Sequence, residues 1–216
     1  MRPWSYSRLK TWEDCPKSYF YSYVEKVPSS REVGPAASRG TELHAKAEAY
    51  LKDELKIYPP EFQGVAGHTM LLKSKKAIPE QKLAVAEDWS PREWTDDDVY
   101  ARGIIDVIYV DDGVVHVQDW KTGQIYDTHP DQLATYVALA AAHYPDATEF
   151  RARAIYIDQG VISKPVSTRS DRVKPIRMLL DGRIKNAEAD EIFPTRAGSA
   201  CKWCDFSKKY GGPCAF

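Results

Sequence analysis

The chain has 216 residues, of which 43% are apolar, 28% charged and 12% aromatic, with a formal net charge of −1. This balance excludes long-range disorder, a collagen-like repeat and a small disulfide scaffold. The longest apolar stretch, around Tyr136 to Ala142, falls far short of the ~20 residues of a membrane span.

Charge is unevenly spread along the chain. Residues 1–31 carry six Lys/Arg against three Asp/Glu, residues 32–149 eleven against twenty-one, and residues 150–216 thirteen against seven. An acidic middle between basic ends suits a carboxylate metal site whose flanking segments hold a polyanion, and it equally suits ordinary solvated faces. The segment Met1-Arg2-Pro3-Trp4 lacks the apolar run of a secretory signal, so a cytosolic protein is expected.

Over residues 5–26, Leu9, Trp12, Tyr19, Phe20 and Tyr23 recur at roughly helical spacing. Ser5 or Ser7 is placed to cap a first helix and Pro16 to open a second, so a break is expected at Cys15-Pro16. A loop with Pro28, Gly34 and Pro35 leads to a helix from Gly40-Thr41 to about Leu55, with Leu43, Ala47, Leu51 and Leu55 as its buried stripe. Residues 58–79, with several Pro and Gly, read as irregular. Strands are predicted over 81–89, 99–110, 114–121, 150–158 and 161–167, and helices over 130–143 and 171–190. The layout describes one α/β domain over 1–216, with a small mixed sheet flanked by helices and a cysteine-rich tail.

Asp111-Asp112-Gly113 is a hairpin signal between the second and third strands. Alternation places Val115, Val117, Asp119 and Lys121 on one face of a strand, and Ile104, Asp106 and Ile108 on one face of its partner. Asp106 and Asp119 stand at about equal distance from the turn, so the two carboxylates converge. Repulsion between them is relieved by a raised pKa or a bound cation. The plainer reading is an Asp119–Lys121 ion pair at a strand end.

Asp106 followed by Asp119-Trp120-Lys121 resembles the core of PD-(D/E)XK nucleases. Gly40-Thr41-Glu42-Leu43-His44 resembles the G-x-x-x-H helix of their RecB-like branch, which includes the CRISPR-associated RecB-type exonucleases, and Gln132-Leu133-Ala134-Thr135-Tyr136 resembles its Q-x-x-x-Y helix. The order of the elements agrees with that branch over roughly residues 5–215. The resemblance implies a PD-(D/E)XK core over about 36–190 that cleaves DNA, with Asp106, Asp119, Lys121, Gln132 and Tyr136 as catalytic residues. It implies Mg²⁺ or Mn²⁺ held by His44, Asp106, Asp119 and the Trp120 main-chain carbonyl, with Glu80 as a further ligand. Read alone, His44 is equally a satisfied helix histidine, and Gln132 and Tyr136 equally brace the sheet.

Cys201-Lys202-Trp203-Cys204 is a C-x-x-C, followed by Cys214, while Cys15 lies near the other terminus. Four clustered cysteines in a reducing compartment suggest one four-thiolate site, either [4Fe–4S] or structural Zn²⁺. One cysteine before the core and three after it resembles the RecB-like and AddB-type nucleases, which implies [4Fe–4S] joining segments 5–26 and 195–216. The gap from Cys204 to Cys214 is longer than their usual spacing.

The basic, aromatic ends supply Arg8, Lys10, Lys17, Lys202, Lys208 and Lys209 beside Trp12, Tyr19, Trp203 and Tyr210, a composition suited to holding single-stranded DNA. Packing around the cysteines is the competing role for these rings, above all for Trp12. The expected function is a metal-dependent DNA exonuclease of recombination or repair, CRISPR adaptation or phage DNA processing, in the host cytoplasm if phage-encoded, with recombination, CRISPR or phage proteins as further partners. The alternative is a non-catalytic nucleic-acid-binding module stapled by a zinc or Fe–S site. No G-x-x-x-x-G-K-[ST] phosphate loop is present, so helicase activity would come from a partner.

Overall fold

The structure is a computed structural model that describes residues 3–29, 31, 32, 34–125 and 129–216. It forms two compact units, one built on residues 35–178 and the other on residues 4–34 and 179–216.

The first unit opens with helix α3, Pro35–Leu51, preceded in the chain by α1, Tyr6–Asp14, and α2, Pro16–Tyr19, of the second unit. Proline in the first turn needs no helical N–H partner, so α3 starts five residues earlier than the Gly40-Thr41 signal. It also ends earlier than expected. Asp53 adopts φ 62° and Glu54 N donates back to Ala49 O at 2.9 Å, which closes the helix before Leu55. Leu43, Ala47 and Leu51 are buried as the stripe predicts, whereas Leu55 is only half-buried.

Residues 58–79 are more ordered than their Pro and Gly content suggests. A 3₁₀ turn at Pro60–Val65 runs into α4, Ala66–Ser74. Burial of Phe62, Val65, Thr69 and Leu72 overrides weak local propensity there. Gly64 is required by a close backbone approach, because a Cβ on it would lie 2.8 Å from Gly160 Cα.

The strands are β1 (Ile78–Val85), β2 (Pro91–Arg92), β3 (Ala101–Asp111), β4 (Val114–Lys121), β5 (Glu149–Tyr156), β6 (Val161–Ile162) and β7 (Val166–Arg169). The strand expected over 81–89 stops at Val85, where Ala86 N donates to Ser90 O at 2.9 Å and Trp89 takes φ 63°. The strand expected over 161–167 is split around Pro165, which cannot donate to a ladder. Asp112 (φ 49°) and Gly113 (φ 73°) make the two-residue β3–β4 turn, the left-handed pair of a type I′ hairpin.

The sheet order is β2-β1-β3-β4-β5-β6, with β7 also paired to β5. The β4–β5 pair is parallel and the others antiparallel, so the sheet is mixed. The parallel pair is joined by α5, His129–His143. Leu43, Ala47, Phe62 and Leu72 pack with Val107, Trp120 and Ile155 in one core cluster. Leu133, Val137 and Leu139 of α5 are also buried. Gly103 lets α5 approach, since a Cβ there would lie 2.9 Å from Leu139 Cδ1 and 3.3 Å from Tyr136 Cε1. Ile108, Val115 and Val117 are fully buried, but Ile104 is 37% exposed, so the apolar row around Asp106 is shorter than alternation alone implies.

In the second unit, Ser5 Oγ accepts from Arg8 N (3.2 Å) and caps α1. Cys15 is the extended residue between α1 and α2 (φ −160°, ψ 105°), and a π-helical turn, Phe20–Glu25, follows α2. The Arg8 guanidinium lies 4.4 Å from the Trp4 ring and donates to Tyr19 Oη at 2.8 Å. Trp12 Nε1 donates to Asp190 Oδ2 at 2.8 Å. Arg8 and Tyr19 are buried, so neither is a surface group for nucleic acid, contrary to the reading of the basic, aromatic ends. The last helix, α6 (Val173–Glu188), runs from the first unit into the second. Among the described residues no helix is long and apolar enough to cross a membrane.

Candidate active site

The site lies in the first unit, at the end of the β3–β4 hairpin away from its turn. Ladder pairing puts Asp106 opposite Asp119, one step beyond the Val107–Gln118 pair. Both carboxylates are buried. Asp106 Oδ2 accepts from Trp120 N at 2.7 Å, so the strand backbone fixes the carboxylate. The Trp120 ring meets Phe62 edge-on on the other face, with centroids 5.6 Å apart, and anchors the strand end.

His44 projects from α3 toward the same point. Its Nε2 donates to Trp120 O at 3.1 Å and its Nδ1 lies 3.5 Å from Asp106 Oδ1. Burial alone would lower the imidazole pKa, but Asp106, Asp119 and Glu80 outweigh it and hold the ring above its ordinary value.

Glu80 completes the group. It falls between the paired positions Pro79–Val107 and Gln81–Ile105, opposite Asp106, and takes φ 50° inside a strand. A β-strand residue in the left-handed region is strained, and such strain collects at functional sites. Burial, then the Asp106 charge, pushes the Glu80 carboxyl up. Ligand atoms of His44, Glu80 and Asp106 lie within 4.8 Å of one another, the one such cluster of three or more among the described residues. His44 and Glu80 open onto a cavity of about 390 Å³, which Gly40, Thr41 and Glu48 also line.

Asp119 and Lys121 stand beside this cluster. Lys121 Nζ is 2.5 Å from Asp119 Oδ2 and donates to Gln132 Oε1 at 2.8 Å. Gln132 Nε2 donates to Asp119 Oδ1 (3.2 Å) and to Tyr136 Oη (2.8 Å). One turn of α5 thus fixes both members of the ion pair, because residues four apart share a helix face. Burial, then the Asp106 charge, raises the Asp119 carboxyl to about 7 against the pull of Lys121. Burial and the same two aspartates push the Tyr136 phenol well up, so it stays protonated.

Arg39 and Asp158 belong to the setting but not to the sequence reading. Asp158 binds Arg39 through two hydrogen bonds (2.5 and 2.9 Å) and accepts from Gly123 N at 2.7 Å. It therefore ties the start of the helix carrying His44 to the backbone two residues beyond Lys121. No local motif marks Asp158. Only the parallel pairing of Lys121 with Tyr156 brings it there.

The model of one known family matches residues 3–208 of the chain. The chain belongs to the PD-(D/E)XK nuclease superfamily. Among solved structures, the chain is similar to a Eubacterium rectale protein named as a candidate exonuclease, with 12% identity, TM-score 0.53, and coverage of 93% of this chain and 87% of that one. It is also similar to SSO0001, with 18% identity, TM-score 0.49, and coverage of 95% and 84%. No curated protein matches it. The mixed sheet flanked by helices is the fold of this superfamily, whose nucleases use divalent metals, and His44, Glu80 and Asp106 form a cluster that could hold such an ion.

In the second unit all four cysteines are free thiols and line one cavity of about 290 Å³, with Thr11, Lys17, Tyr21 and Phe206 among its other walls. Arg196 N points at Cys15 Sγ (3.5 Å) and Gly198 N at Cys201 Sγ (3.4 Å). The long gap before Cys214 is a closed loop. A 3₁₀ turn at Lys208–Tyr210 ends in Gly211 (φ 76°), Gly212 N donates to Ser207 O, and Cys214 N donates to Phe206 O at 2.9 Å. Gly212 sits on the Phe206 backbone, where a Cβ would come within 2.4 Å of the carbonyl.

Proposed function

We propose that the protein is a divalent-metal-dependent DNA exonuclease of the RecB-like type that acts on single-stranded ends and carries a structural [4Fe–4S] cluster. The observation that carries the catalytic reading is the His44–Glu80–Asp106 cluster beside the Asp119–Lys121 pair. Two carboxylates and an imidazole are the donors that Mg²⁺ or Mn²⁺ takes, with the Trp120 carbonyl and Asp119 adjoining, so the residues fit the ion. Bound there, the ion supplies Lewis acidity to the phosphate and lowers the pKa of the attacking water.

The side chains contribute the rest. Lys121, fixed by Asp119 and Gln132, presents an ammonium to the charge that builds on the phosphoryl oxygens as water adds and the ester bond breaks. Tyr136, protonated and bonded to Gln132, stiffens that arrangement. Asp106, locked by the Trp120 N–H, and His44, locked by the Trp120 carbonyl, keep the donor atoms in place before substrate arrives.

Four thiols around one cavity, with backbone N–H groups aimed at two of the sulfurs, favour a metal cofactor. A Zn²⁺ ion with four thiolates at 2.3 Å would need sulfurs about 3.8 Å apart. The resemblance of the cysteine arrangement to the RecB-like and AddB-type nucleases favours the wider iron–sulfur cubane, with Zn²⁺ as the alternative.

The test is cleavage of end-labelled single- and double-stranded DNA by anaerobically purified protein in Mg²⁺, Mn²⁺ or EDTA, beside Lys121→Ala. Metal-dependent shortening from the ends, absent in the variant, is the expected result. Binding without cleavage in every metal would favour the non-catalytic alternative, and activity unchanged in Lys121→Ala would remove the assignment.

A further inference from the structure

We propose that the Cys201–Cys204 turn presents a base-stacking platform for single-stranded DNA, with Trp203 as the stacking ring and Arg31 as the residue that holds it. This rests on the nuclease reading and extends it to a named contact surface.

All six tryptophans are described, and five are buried or half-buried, whereas Trp203 is 66% exposed. A large ring left in water is informative when its surroundings hold it there. Arg31 Nη1 donates to Trp203 O at 2.9 Å, and its guanidinium lies 5.7 Å from both the Trp203 and the Tyr210 ring centroids. Tyr210 Oη donates to Lys202 O at 3.0 Å, so the two rings and the turn share one bracket. The ring is therefore fixed at its backbone with Arg31 over one side, and most of its remaining surface lies in solvent.

The surrounding charge identifies the partner. Lys202, Lys208 and Lys209 are exposed, and the Lys209 ammonium lies 5.0 Å from the Tyr210 ring. From residue 196 onward Asp205 is the single acid against four basic residues, and it faces Arg31 at 4.0 Å. An exposed aromatic ring with Arg31 over it, in a segment of exposed lysines, matches a nucleobase with its flanking phosphates. The exposed Lys202, Lys208 and Lys209 favour a polyanion over an apolar protein surface, and a duplex keeps its base faces internal. An unpaired strand offers both the face and the charge.

Two assays separate this surface from the catalytic site. Binding of fluorescein-labelled oligo(dT) is measured by anisotropy in EDTA, where cleavage cannot proceed. Hydrolysis of thymidine 5′-(p-nitrophenyl phosphate) in Mn²⁺ reads the active site with a single nucleotide, which has no strand for a stacking platform to hold. Trp203→Ala is expected to weaken oligo(dT) binding about ten-fold, Trp203→Phe to keep most of it, and both to hydrolyse the small diester at the parent rate. Oligo(dT) binding unchanged in Trp203→Ala, equal losses in both variants, or duplex competing as well as the single strand would each overturn the platform. If the parent cleaves neither the end-labelled DNA nor the small diester while oligo(dT) binding still depends on Trp203, the platform stands and the nuclease reading falls.

Discussion

Glu80 and Asp106 occupy facing positions on β1 and β3, and Glu80 reaches its place only by turning its backbone to φ 50°. Neighbouring ladder positions on either side are regular, so the distortion is confined to the one residue whose carboxylate joins the cluster. Backbone strain and carboxylate repulsion act together here, and a bound cation relieves the second.

Glu80→Gly separates these terms. Glycine tolerates the left-handed conformation, so the metal-free protein should gain about 1 kcal/mol. The same variant should bind Mn²⁺ at least ten-fold more weakly. Thermal unfolding with and without MnCl₂ reads both effects. A variant stabilised by Mn²⁺ as strongly as the parent would show that Glu80 is not a ligand.

The site should also give the metal-free protein an acid-favouring stability profile. Asp119 is raised to about 7 in the fold, and His44 and Glu80 are raised too. Each group holds its proton more tightly folded than unfolded, so its stabilising contribution is present at low pH and is lost as pH rises through the folded pKa. For Asp119 that window runs from about 4 to about 7. A divalent ion competes with these protons, so its stabilising shift should grow from pH 6 to pH 8. Asp119→Asn should flatten the metal-free profile over the same range.

Lys121→Ala should reduce cleavage by about 10²–10³-fold, the loss typical for one transition-state donor. The buried Asp119 loses its partner and shifts further toward the neutral form, so metal binding should move to higher pH without disappearing. Gln132→Ala should show a smaller loss, because Lys121 keeps Asp119 while Tyr136 loses its donor. Single-turnover rates with saturating Mn²⁺ distinguish the two.

Asp158→Ala should cost little stability, about 1 kcal/mol or less, because its partner Arg39 is well exposed. It should lower Mn²⁺ affinity and cleavage together, since α3 and the loop after Lys121 lose their shared tie. A variant with altered Tm and unaltered Mn²⁺ affinity would make Asp158 a purely structural residue.

For the four-cysteine site, Cys201→Ser should lose visible absorbance and solubility together. Gly212→Ala should do the same without removing a thiol, because its Cβ collides with the Phe206 backbone and displaces Cys214. Iron content and the absorbance spectrum of anaerobically purified protein test both.

Much of the site geometry was legible because it depends on short-range rules. The Asp112-Gly113 turn sets the hairpin register, alternation sets the faces, and helical spacing brings Gln132 and Tyr136 to one side of α5. The rest depends on tertiary contact. The left-handed Glu80 has no local signature. Asp158 reaches the site through a parallel pairing, and α4 is hidden by the Pro and Gly around it, Gly64 being held by its approach to Gly160. Arg8 and Tyr19 looked like surface groups because composition cannot tell a cation stacked inside a cluster of rings from one in water.

The second unit is assembled from two stretches of chain with residues 35–178 between them. Tyr19 and Phe20 pack on Phe193, and Tyr21 packs on Phe206. During synthesis the early aromatic rings therefore wait until the whole of residues 35–178 has been made before their partners follow. A chain that stops before Phe193 leaves Tyr19, Phe20 and Tyr21 without these ring partners, a natural target for chaperones and proteases.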